Sequence, residues 1–567
     1  MKFEKFIYER PNIQLFEQEI HHLLSTFKVS SNIEELSNII TKINRLRSNF
    51  ESMMKLAYLQ FMRNTDDHFY SEEQKFYDET YPVYMNLLND YFTNLVKCKF
   101  RQQLEDIWGK QLFSLAELHT KTLSPNIIED LIIENKLASQ YTKLISSAKI
   151  NFQNEEKNLA QMRAYSQNAD RELRKDAINA RYGYYEAHEE ELDQIFDHLV
   201  NIRTQNAKKL GYKNFTELGY ARMLRIGYDA DMVRTFRKQV YETFVPFLTE
   251  LRENQRLRLK IDTLRYYDLD IMFDDGNPLP KGDIKWILEQ FQHVFKDISN
   301  ETDEFYRFMV SNNLFDLETR NNKARAGYCS FLPEYKSPYI FANFNGTSDD
   351  VRIFLHEAGH AFQLYSSRHL ELVDYHYPTY EACEIHSMSM EIFGWKSIDL
   401  IFEDDTNKYK YVHLLEALDW LVYCVAIDEF QHLIYENPNQ SPLERKAEWR
   451  KIEKKYFPFR NYEGNDYLER GGYWQQQTLI YKTPFYFIDY ALAQICAFQF
   501  WKNSKINYRL ALSDYLTICH IGGGKSFISI IEEANLISPF EDGCIEAILP
   551  ILKDEFMHIE ANLNIDR

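Results

Sequence analysis

A histidine–glutamate–histidine motif occupies residues 356–360, where the sequence reads HEAGH. Apolar residues at helical spacing through 351–367 predict a helix around it. On a helix His356 and His360 lie one turn apart on the same face, so one zinc ion could accept both imidazoles. Glu357 could reach a water held by the metal, because zinc lowers the pKa of such a water toward about 7. For the pentapeptide alone, the alternative is a helix with two surface histidines and a solvated glutamate.

A third metal ligand is expected downstream, because catalytic zinc sites take three protein ligands and keep one position open. The segment 377–395 predicts a second helix and carries glutamates among apolar residues. A carboxylate on such an apolar helix costs free energy unless it is paired or binds a metal. We therefore predict Glu384 as the third ligand and Glu391 or Glu381 as the partner of a ligating histidine. On a helix His386 projects about 200° away from Glu384, which indicates a neighbouring polar contact.

The elements that must position these residues read as mainly helical. Only 18 Gly and 15 Pro interrupt 567 residues, and long stretches show helical periodicity. Two short aromatic-rich runs, near 326–331 and 339–344, predict an antiparallel β-hairpin directly before the HEAGH helix. Thr347 or Ser348 is the predicted N-cap of that helix. The edge of a small sheet beside this helix could hold an extended peptide by main-chain hydrogen bonds.

Composition narrows the classes of partner. The net charge of −19 argues against nucleic acid, since an acidic surface repels phosphate. No stretch approaches about 18 uncharged apolar residues, so no membrane span is expected, and the N-terminus does not resemble a signal peptide. The seven cysteines are scattered and contain no CxxC pair, which favours a reducing, cytoplasmic compartment.

Longer motifs around these residues resemble one protein family. FNGTSDDVRIFLHEAGHAFQ and CEIHSMSMEIFGW resemble the oligoendopeptidase F branch of the thimet-oligopeptidase-like metallopeptidases. RAGYCSFLPEYKSPYIF, TPFYFIDYALAQICAFQFW and HIGGGKSFISIIEEANLISPFEDG resemble the same branch, so the likeness covers about 320–543. The resemblance implies a mainly α fold of two helical lobes around a deep channel with zinc on its floor. It also implies cytosolic cleavage of short, unfolded peptides, because only a flexible chain can thread a channel.

The resemblance also implies roles for individual residues. His356, His360 and Glu384 fall on the zinc ligands of the family, and Glu357 falls on its general base. Tyr486 and Tyr490 fall on the positions at which relatives place tyrosines that stabilise the oxyanion. Phenol hydroxyls aimed at a developing negative charge are the physics expected of such a role.

One departure from the family concerns a histidine that relatives usually carry shortly before the PFY segment. The corresponding position here is near Leu479, and no histidine occurs between His432 and His520. Tyr481 or Gln477 could substitute; otherwise the loss of one oxyanion donor would lower turnover about 10²–10³-fold. Besides a zinc oligoendopeptidase, the alternatives are a weakly active or inactive peptide-binding protein that keeps its metal, and a carboxypeptidase.

The domain division expected from the sequence is an N-terminal helical region, 1–180, followed by a metallopeptidase catalytic region, 181–567. The predicted contacts with a peptide substrate are aromatic residues of the hairpin and a histidine beside a glycine-rich turn, namely Tyr328, Tyr339, Phe341 and His520.

Overall fold

Helices near the N-terminus pack around a core of their own. The computed structural model describes residues 1–324 and 326–563. The N-terminal helices are α1 (Ile13–Val29), α2 (Ile33–Arg63), α3 (His68–Val96), α4 (Arg101–Trp108) and α5 (Lys110–Thr122). Asn12, Asn32 and Asp67 start the first three, because each side chain accepts a hydrogen bond from a free N–H of the first turn. Their apolar faces form one buried cluster that extends to Leu372 and Tyr375.

A second and larger hydrophobic core extends from the middle of the chain to its C-terminal end. The elements that precede the predicted hairpin are α6 (Ile128–Ser146), β1 (Ile150–Phe152), β2 (Glu155–Lys157), α7 (Leu159–Arg163), α8 (Arg171–Ala187), α9 (Glu189–Lys209), α10 (Phe215–Arg222), α11 (Ala230–Arg258), α12 (Ile284–Ile298) and α13 (Asn300–Ser311). β1 and β2 pair as an antiparallel hairpin that the sequence did not predict.

The remaining elements surround the HEAGH motif or follow it. They are β3 (Phe315–Glu318), β4 (Tyr328–Leu332), β5 (Ser337–Phe344), α14 (Ser348–Ser367), α15 (Tyr380–Phe393), α16 (Asp399–Phe402), α17 (Thr406–Glu436), α18 (Pro442–Tyr456), α19 (Asp466–Glu469), α20 (Thr478–Lys482), α21 (Phe487–Ile521), α22 (Phe527–Glu533) and α23 (Leu549–Asn562). The mainly α fold in two lobes predicted from the sequence is confirmed. Among the described residues, no helix is both long and apolar enough to cross a membrane.

The predicted hairpin is confirmed as β4 and β5, which pair antiparallel from Tyr328↔Phe341 to Leu332↔Ser337. The prediction missed β3, which pairs parallel to the other side of β5 and makes it the central strand. β5 is buried along nearly its whole length. Because α14 packs against this sheet, the small sheet fixes the start of the helix that carries the HEAGH motif.

A charged cluster ties the sheet to the N-terminal helices. Asp316 on β3 accepts hydrogen bonds from Arg63 of α2, from Arg320 and from Lys323. Burial alone would raise the pKa of Asp316, but these three cations outweigh it and lower that pKa to about 2. The Lys323 ammonium is buried and also donates to the main-chain oxygen of Ala342 on β5. The ionised carboxylate therefore links the two lobes.

Candidate functional site

The HEAGH residues lie on α14, and the helix begins in a way that the sequence did not predict. Thr347 is the N-cap residue, but its side chain makes no capping bond, and Ser348 is already the first helical residue. Asp350 instead reaches back and accepts hydrogen bonds from the main-chain N–H groups of Asn345 (2.9 Å) and Gly346 (2.6 Å). A carboxylate in the first turn also lies favourably at the positive end of the helix.

Gly359, between the two histidines, lets helices α14 and α15 cross at close range. A Cβ at this position would stand 2.6 Å from the main-chain oxygen of His386 and 2.6 Å from Cα of Ser387. Only glycine fits such a crossing without moving a backbone. The crossing brings Glu384 of α15 against the histidine face of α14.

The three predicted metal ligands come together at this crossing. Nε2 of His356 lies 3.3 Å from Oε2 of Glu384, and Nε2 of His360 lies 3.6 Å from the same oxygen. The ligand atoms of the three residues all lie within 4.8 Å of one another. Atoms bound tetrahedrally at the usual zinc distances of about 2.0–2.1 Å stand about 3.3 Å apart. Both the donor set and its spacing therefore fit a zinc ion.

Glu384 is held in place by two hydroxyl groups. Ser387 donates to its Oε2 at 2.9 Å, and Tyr486 donates to its Oε1 at 2.8 Å. Burial alone would raise the pKa of Glu384, but the histidines and Tyr486 outweigh burial and lower that pKa to about 2. Burial lowers the pKa of His360 to about 4, so its imidazole is neutral at pH 7. An ionised carboxylate beside a neutral imidazole is the state that a metal ion requires.

His356 is oriented by a chain of hydrogen bonds that ends at a tryptophan. Trp395 donates its indole N–H to Nδ1 of His413 at 2.8 Å. Nδ1 of His413 is therefore an acceptor, and the proton of that ring stands on Nε2, which donates to Glu391 Oε2 at 2.6 Å. The other oxygen of Glu391 accepts from Nδ1 of His356 at 2.7 Å, which leaves Nε2 of His356 directed at the metal position.

The charges of Glu384 and Glu391 favour a cation between them and the histidines. Burial works against the charged form of His356, but Glu384 and Glu391 outweigh it and raise the pKa of His356 to about 10. The two histidines likewise outweigh burial and lower the pKa of Glu391. A pair of carboxylates that holds a proton so firmly also attracts a metal ion, which would displace that proton. The sequence offered Glu391 or Glu381 as the partner of a ligating histidine, and the structure places Glu391 there.

Glu381 lies elsewhere, on the side of α15 that faces α10 and its loop. It accepts a hydrogen bond from the hydroxyl of Tyr228 and makes no bond to either histidine of the motif. His413 and Trp395 were absent from the sequence-based prediction. No spacing rule links them to the HEAGH motif, because they approach it from α17 and from the turn after α15.

Glu357 faces a cavity of about 570 Å³ that His356 also lines. Its carboxylate is 8% exposed, and Oε2 has no hydrogen-bond partner among the described residues. Burial and the charge of Glu384 raise the pKa of Glu357 to about 7, against the opposing effect of His356. A carboxyl group in the lining of a cavity, with a pKa near neutrality, can exchange a proton with a molecule bound there.

Tyr486 and Tyr490 lie at the N-terminal end of α21 and reach the same site. Their rings are 5.1 Å apart, and Tyr490 lines the cavity while Tyr486 donates to Glu384. Burial and the charge of Glu384 raise the pKa of both hydroxyls, so both stay protonated at pH 7 and can donate hydrogen bonds.

The residue before Tyr486 has an unusual backbone conformation. Phe485 has φ +71°, a left-handed value that a bulky side chain rarely adopts. Its carbonyl accepts from Arg225 at 2.5 Å, and its N–H donates to Gln431 at 2.8 Å. Gly219 makes room for the ring, since a Cβ there would stand 2.6 Å from it. This strain is held by the surrounding structure and fixes the direction in which Tyr486 leaves the turn.

The predicted substrate contacts lie outside the cavity. Tyr339 and Phe341 are 1% and 0% exposed, so neither side chain is open to a peptide. Both were predicted as aromatic residues of the hairpin, but β5 is buried along nearly its whole length. Tyr328 is half-buried and stacks on Phe341. His520 is exposed near the end of α21.

The segment around Leu479 forms the short helix α20 and contains no histidine. Tyr481 is 0% exposed and stacks on Tyr141, so it cannot replace a missing donor at the site. Gln477 does line the cavity. Of the two substitutes considered from the sequence, only Gln477 therefore has a side chain placed to meet a substrate.

Comparisons with known proteins agree with this architecture. The sequence profile of the Peptidase M3 N-terminal domain matches residues 3–123, and that of Peptidase family M3 matches residues 164–549. The solved structure of PZ peptidase A with an inhibitor is 51% identical, with a TM-score of 0.94 and coverage of 99% of this chain and 100% of the other. A Bacillus anthracis protein described as an oligoendopeptidase F is 46% identical, with a TM-score of 0.90 and coverage of 99% of both chains.

Oligopeptidase PepF of Bacillus subtilis is a more distant relative. It is 22% identical over 403 residues, which are 67% of this chain. The chain spans only 57% of the length of that curated relative.

Proposed function

Because this chain belongs to peptidase family M3, we propose that it is a zinc-dependent oligoendopeptidase that hydrolyses internal bonds of short, unfolded peptides. The observation that carries the proposal is the grouping of His356, His360 and Glu384, with ligand atoms within 4.8 Å of one another, beside a cavity that Glu357 lines. Two imidazoles and a carboxylate are a donor set of catalytic zinc sites.

His356, His360 and Glu384 would hold the ion at the edge of the cavity that His356 and Glu357 line. A zinc ion there supplies a Lewis acid for the scissile carbonyl and lowers the pKa of a water molecule that it holds. Glu391 keeps the Nδ1 proton of His356 in place, so that Nε2 presents its lone pair. Ser387 holds the Glu384 carboxylate in its ligating orientation.

Glu357 is the proposed general base. Its carboxylate, in the lining of the cavity, takes a proton from the attacking water and then passes that proton to the leaving amine. A pKa near 7 suits both steps, because the group must accept and release a proton at neutral pH.

Tyr490 and Tyr486 are the proposed oxyanion donors. Tyr490 already faces the cavity. Tyr486 donates to Glu384 and would have to exchange that bond for one to the oxyanion. Tyr490 needs no such exchange when negative charge develops on the substrate oxygen. Gln477 supplies an amide donor on the same cavity in place of the histidine of relatives.

The substrate class follows from the shape and chemistry of the site. The catalytic carboxylate lies inside a cavity of about 570 Å³, within the usual range of ligand pockets. A flexible peptide can enter such a space, whereas a folded domain cannot. The seven cysteines are all free thiols, which supports a reducing, cytoplasmic compartment. The net charge of −19 argues against nucleic acid as a partner.

Cleavage of a ten-residue peptide with an amidated C-terminus tests the proposal. Purified protein loaded with zinc should cut it internally, and a chelator should abolish the cuts, as mass spectrometry of the products would show. Removal of single residues from a free C-terminus only, with the amide resistant, would instead identify a carboxypeptidase. An intact peptide bound by zinc-loaded protein would identify a peptide-binding protein that has lost catalysis.

A further inference from the structure

A continuous aromatic wall leads away from the catalytic tyrosines along the cavity. The ring of Tyr490 lies 5.9 Å from that of Trp420, which lies 5.7 Å from that of Tyr423. Tyr423 lies 5.9 Å from Tyr473, and Tyr473 lies 5.9 Å from Tyr182. All five side chains line the same cavity. Such a row of rings offers apolar surface to successive residues of an extended peptide.

The wall ends at Arg181. Its guanidinium carbon lies 5.5 Å from the ring centroid of Tyr182, and the side chain lines the cavity. Five steps of less than 6 Å therefore separate Arg181 from Tyr490, a distance that at most about nine extended residues would span. The guanidinium is thus within reach of one end of a short peptide whose scissile bond lies at Glu357.

Arg181 differs from Arg252 and Arg460, which also line the cavity, because no carboxylate of the described residues bonds its guanidinium. Arg252 donates to Asp419 at 2.9 Å, and Arg460 donates to Glu453 at 3.1 Å. Arg181 donates to the neutral amide oxygen of Gln476, at 2.7 Å. Throughout residues 1–324 and 326–563, no carboxylate oxygen lies within 4 Å of its guanidinium nitrogens.

In the part of the chain that the structure describes, no carboxylate stands directly against Arg181. Its neighbours are the rings of Tyr182, Tyr185 and Tyr473, and its Nε is shielded from solvent without a hydrogen-bond acceptor. The exposed carboxylate of Asp270, which also lines the cavity, attracts Arg181 from a distance but forms no ion pair with it. A half-buried guanidinium that no carboxylate bonds directly can take an anion as its partner.

We propose that Arg181 binds a carboxylate of the peptide substrate and so sets where a short peptide lies relative to Glu357. The inference rests on the proposed peptidase function. The planar guanidinium matches a carboxylate in geometry, and such a charge-assisted bond is stronger than a neutral one. The carboxylate is either the C-terminus of the peptide or an acidic side chain near it. In the first case, the enzyme cuts at a fixed distance from the C-terminus.

The test measures equilibrium binding of three labelled ten-residue peptides to zinc-loaded Glu357→Gln protein, which cannot cleave them. The peptides are a free acid, its C-terminal amide, and an amide whose last residue is glutamate. The expected dissociation constant of the free acid is about 10- to 100-fold lower than that of the amide. Arg181→Gln should bring this ratio close to 1, and Arg181→Lys, which keeps a point charge, should retain part of it.

Lys175→Gln is the matched control, since it removes one positive charge from the same helix outside the cavity lining. The ratio should be unchanged in this variant. Zinc content and circular dichroism would show that Arg181→Gln is folded. Recovery of tight binding by the glutamate peptide would identify an acidic side chain as a second source of the carboxylate.

Cleavage by the wild-type protein shows whether the bound carboxylate is the C-terminus or an acidic side chain. It also tests the proposed peptidase function separately from the role of Arg181. Free-acid peptides of eight to twelve residues should be cut at a constant number of residues from the C-terminus. If the free acid and the amide bind equally well to the parent protein, or if Arg181→Gln leaves the ratio of their dissociation constants intact, the assignment of Arg181 is wrong, and normal cleavage would then leave the peptidase function standing. If no peptide is cut but the ratio depends on Arg181, the peptidase function fails and the carboxylate site stands.

Discussion

Replacing Gly359 by alanine tests whether the close crossing of α14 and α15 builds the metal site. The added Cβ would stand 2.6 Å from the main-chain oxygen of His386 and from Cα of Ser387. Heavy atoms in ordinary contact stand about 3.5–4.0 Å apart. The two helices must therefore separate by about 1 Å, since neither obstacle is a flexible side chain.

The size of this shift decides its effect on the metal. Oε2 of Glu384 lies 3.3 Å from Nε2 of His356 and 3.6 Å from Nε2 of His360. Zinc tolerates deviations of about 0.2 Å in its ligand distances, so a separation of about 1 Å removes Glu384 from the ligand set. We expect zinc affinity to fall about 100-fold or more. Overpacking should destabilise the fold by about 1–3 kcal/mol, offset in part by about 1 kcal/mol because alanine favours a helix over glycine.

Competition with a chromogenic chelator measures the zinc affinity, and denaturant unfolding measures the stability. Gly183→Ala is the control, because a Cβ at that helical position meets nothing within 4 Å. That variant should keep wild-type zinc affinity and equal or exceed wild-type stability. Wild-type zinc affinity in Gly359→Ala would refute the reasoning, since it would mean that the spacing of the three ligands does not depend on this contact.

The remaining predictions concern the hydrogen bond between His413 and Glu391, the oxyanion donor Tyr490, and the link between the lobes through Asp316. His413→Phe removes the hydrogen bond that Glu391 Oε2 accepts, so zinc affinity should fall about 10- to 100-fold in a chelator competition assay. Unchanged affinity would mean that this hydrogen bond does not orient His356 through Glu391. Tyr490→Phe should keep zinc but lower kcat about 10²–10³-fold in a peptide-cleavage assay, and a wild-type kcat would exclude it as an oxyanion donor. Asp316 has a pKa lowered to about 2 from an ordinary value of 3.8, so its contribution is present above pH 4 and is lost as the pH falls toward 2. Between pH 4 and pH 2 the wild-type protein should therefore lose about 1 kcal/mol more stability than Asp316→Asn, once solvent screening is allowed for. Urea unfolding of both proteins at several pH values measures this difference. Stability that falls equally with pH in the two proteins would contradict the prediction.

The grouping of the three proposed metal ligands could be predicted from the sequence because local geometry determines most of it. His356 and His360 share a helix face through their spacing alone, and a glutamate such as Glu384 on an apolar helix needs a partner. The hairpin before them was recognisable from its two aromatic runs on either side of a turn. These features depend on short-range periodicity, which the sequence carries directly.

What the sequence did not reveal depends on contacts between distant segments. His413 joins Glu391 from another helix, and no motif connects the two positions. Tyr339 and Phe341 were assigned to the substrate as aromatic residues of the predicted hairpin. The unpredicted β3 and the packing of α14 cover β5 on both faces, as its nearly continuous apolar run SPYIFANF would suit. Arg181 is one arginine among many until the structure shows that it has no counter-charge.

Measurements of zinc content and of peptide cleavage on Glu357→Gln test whether Glu357 is the general base of a metal-dependent peptidase. Zinc content is measured on the same preparation as the rate of cleavage of an amidated ten-residue peptide. We expect one zinc per chain in both proteins, internal cuts by the wild type, and a loss of most activity in the variant. A variant that retains zinc and cleaves at the wild-type rate would contradict the account.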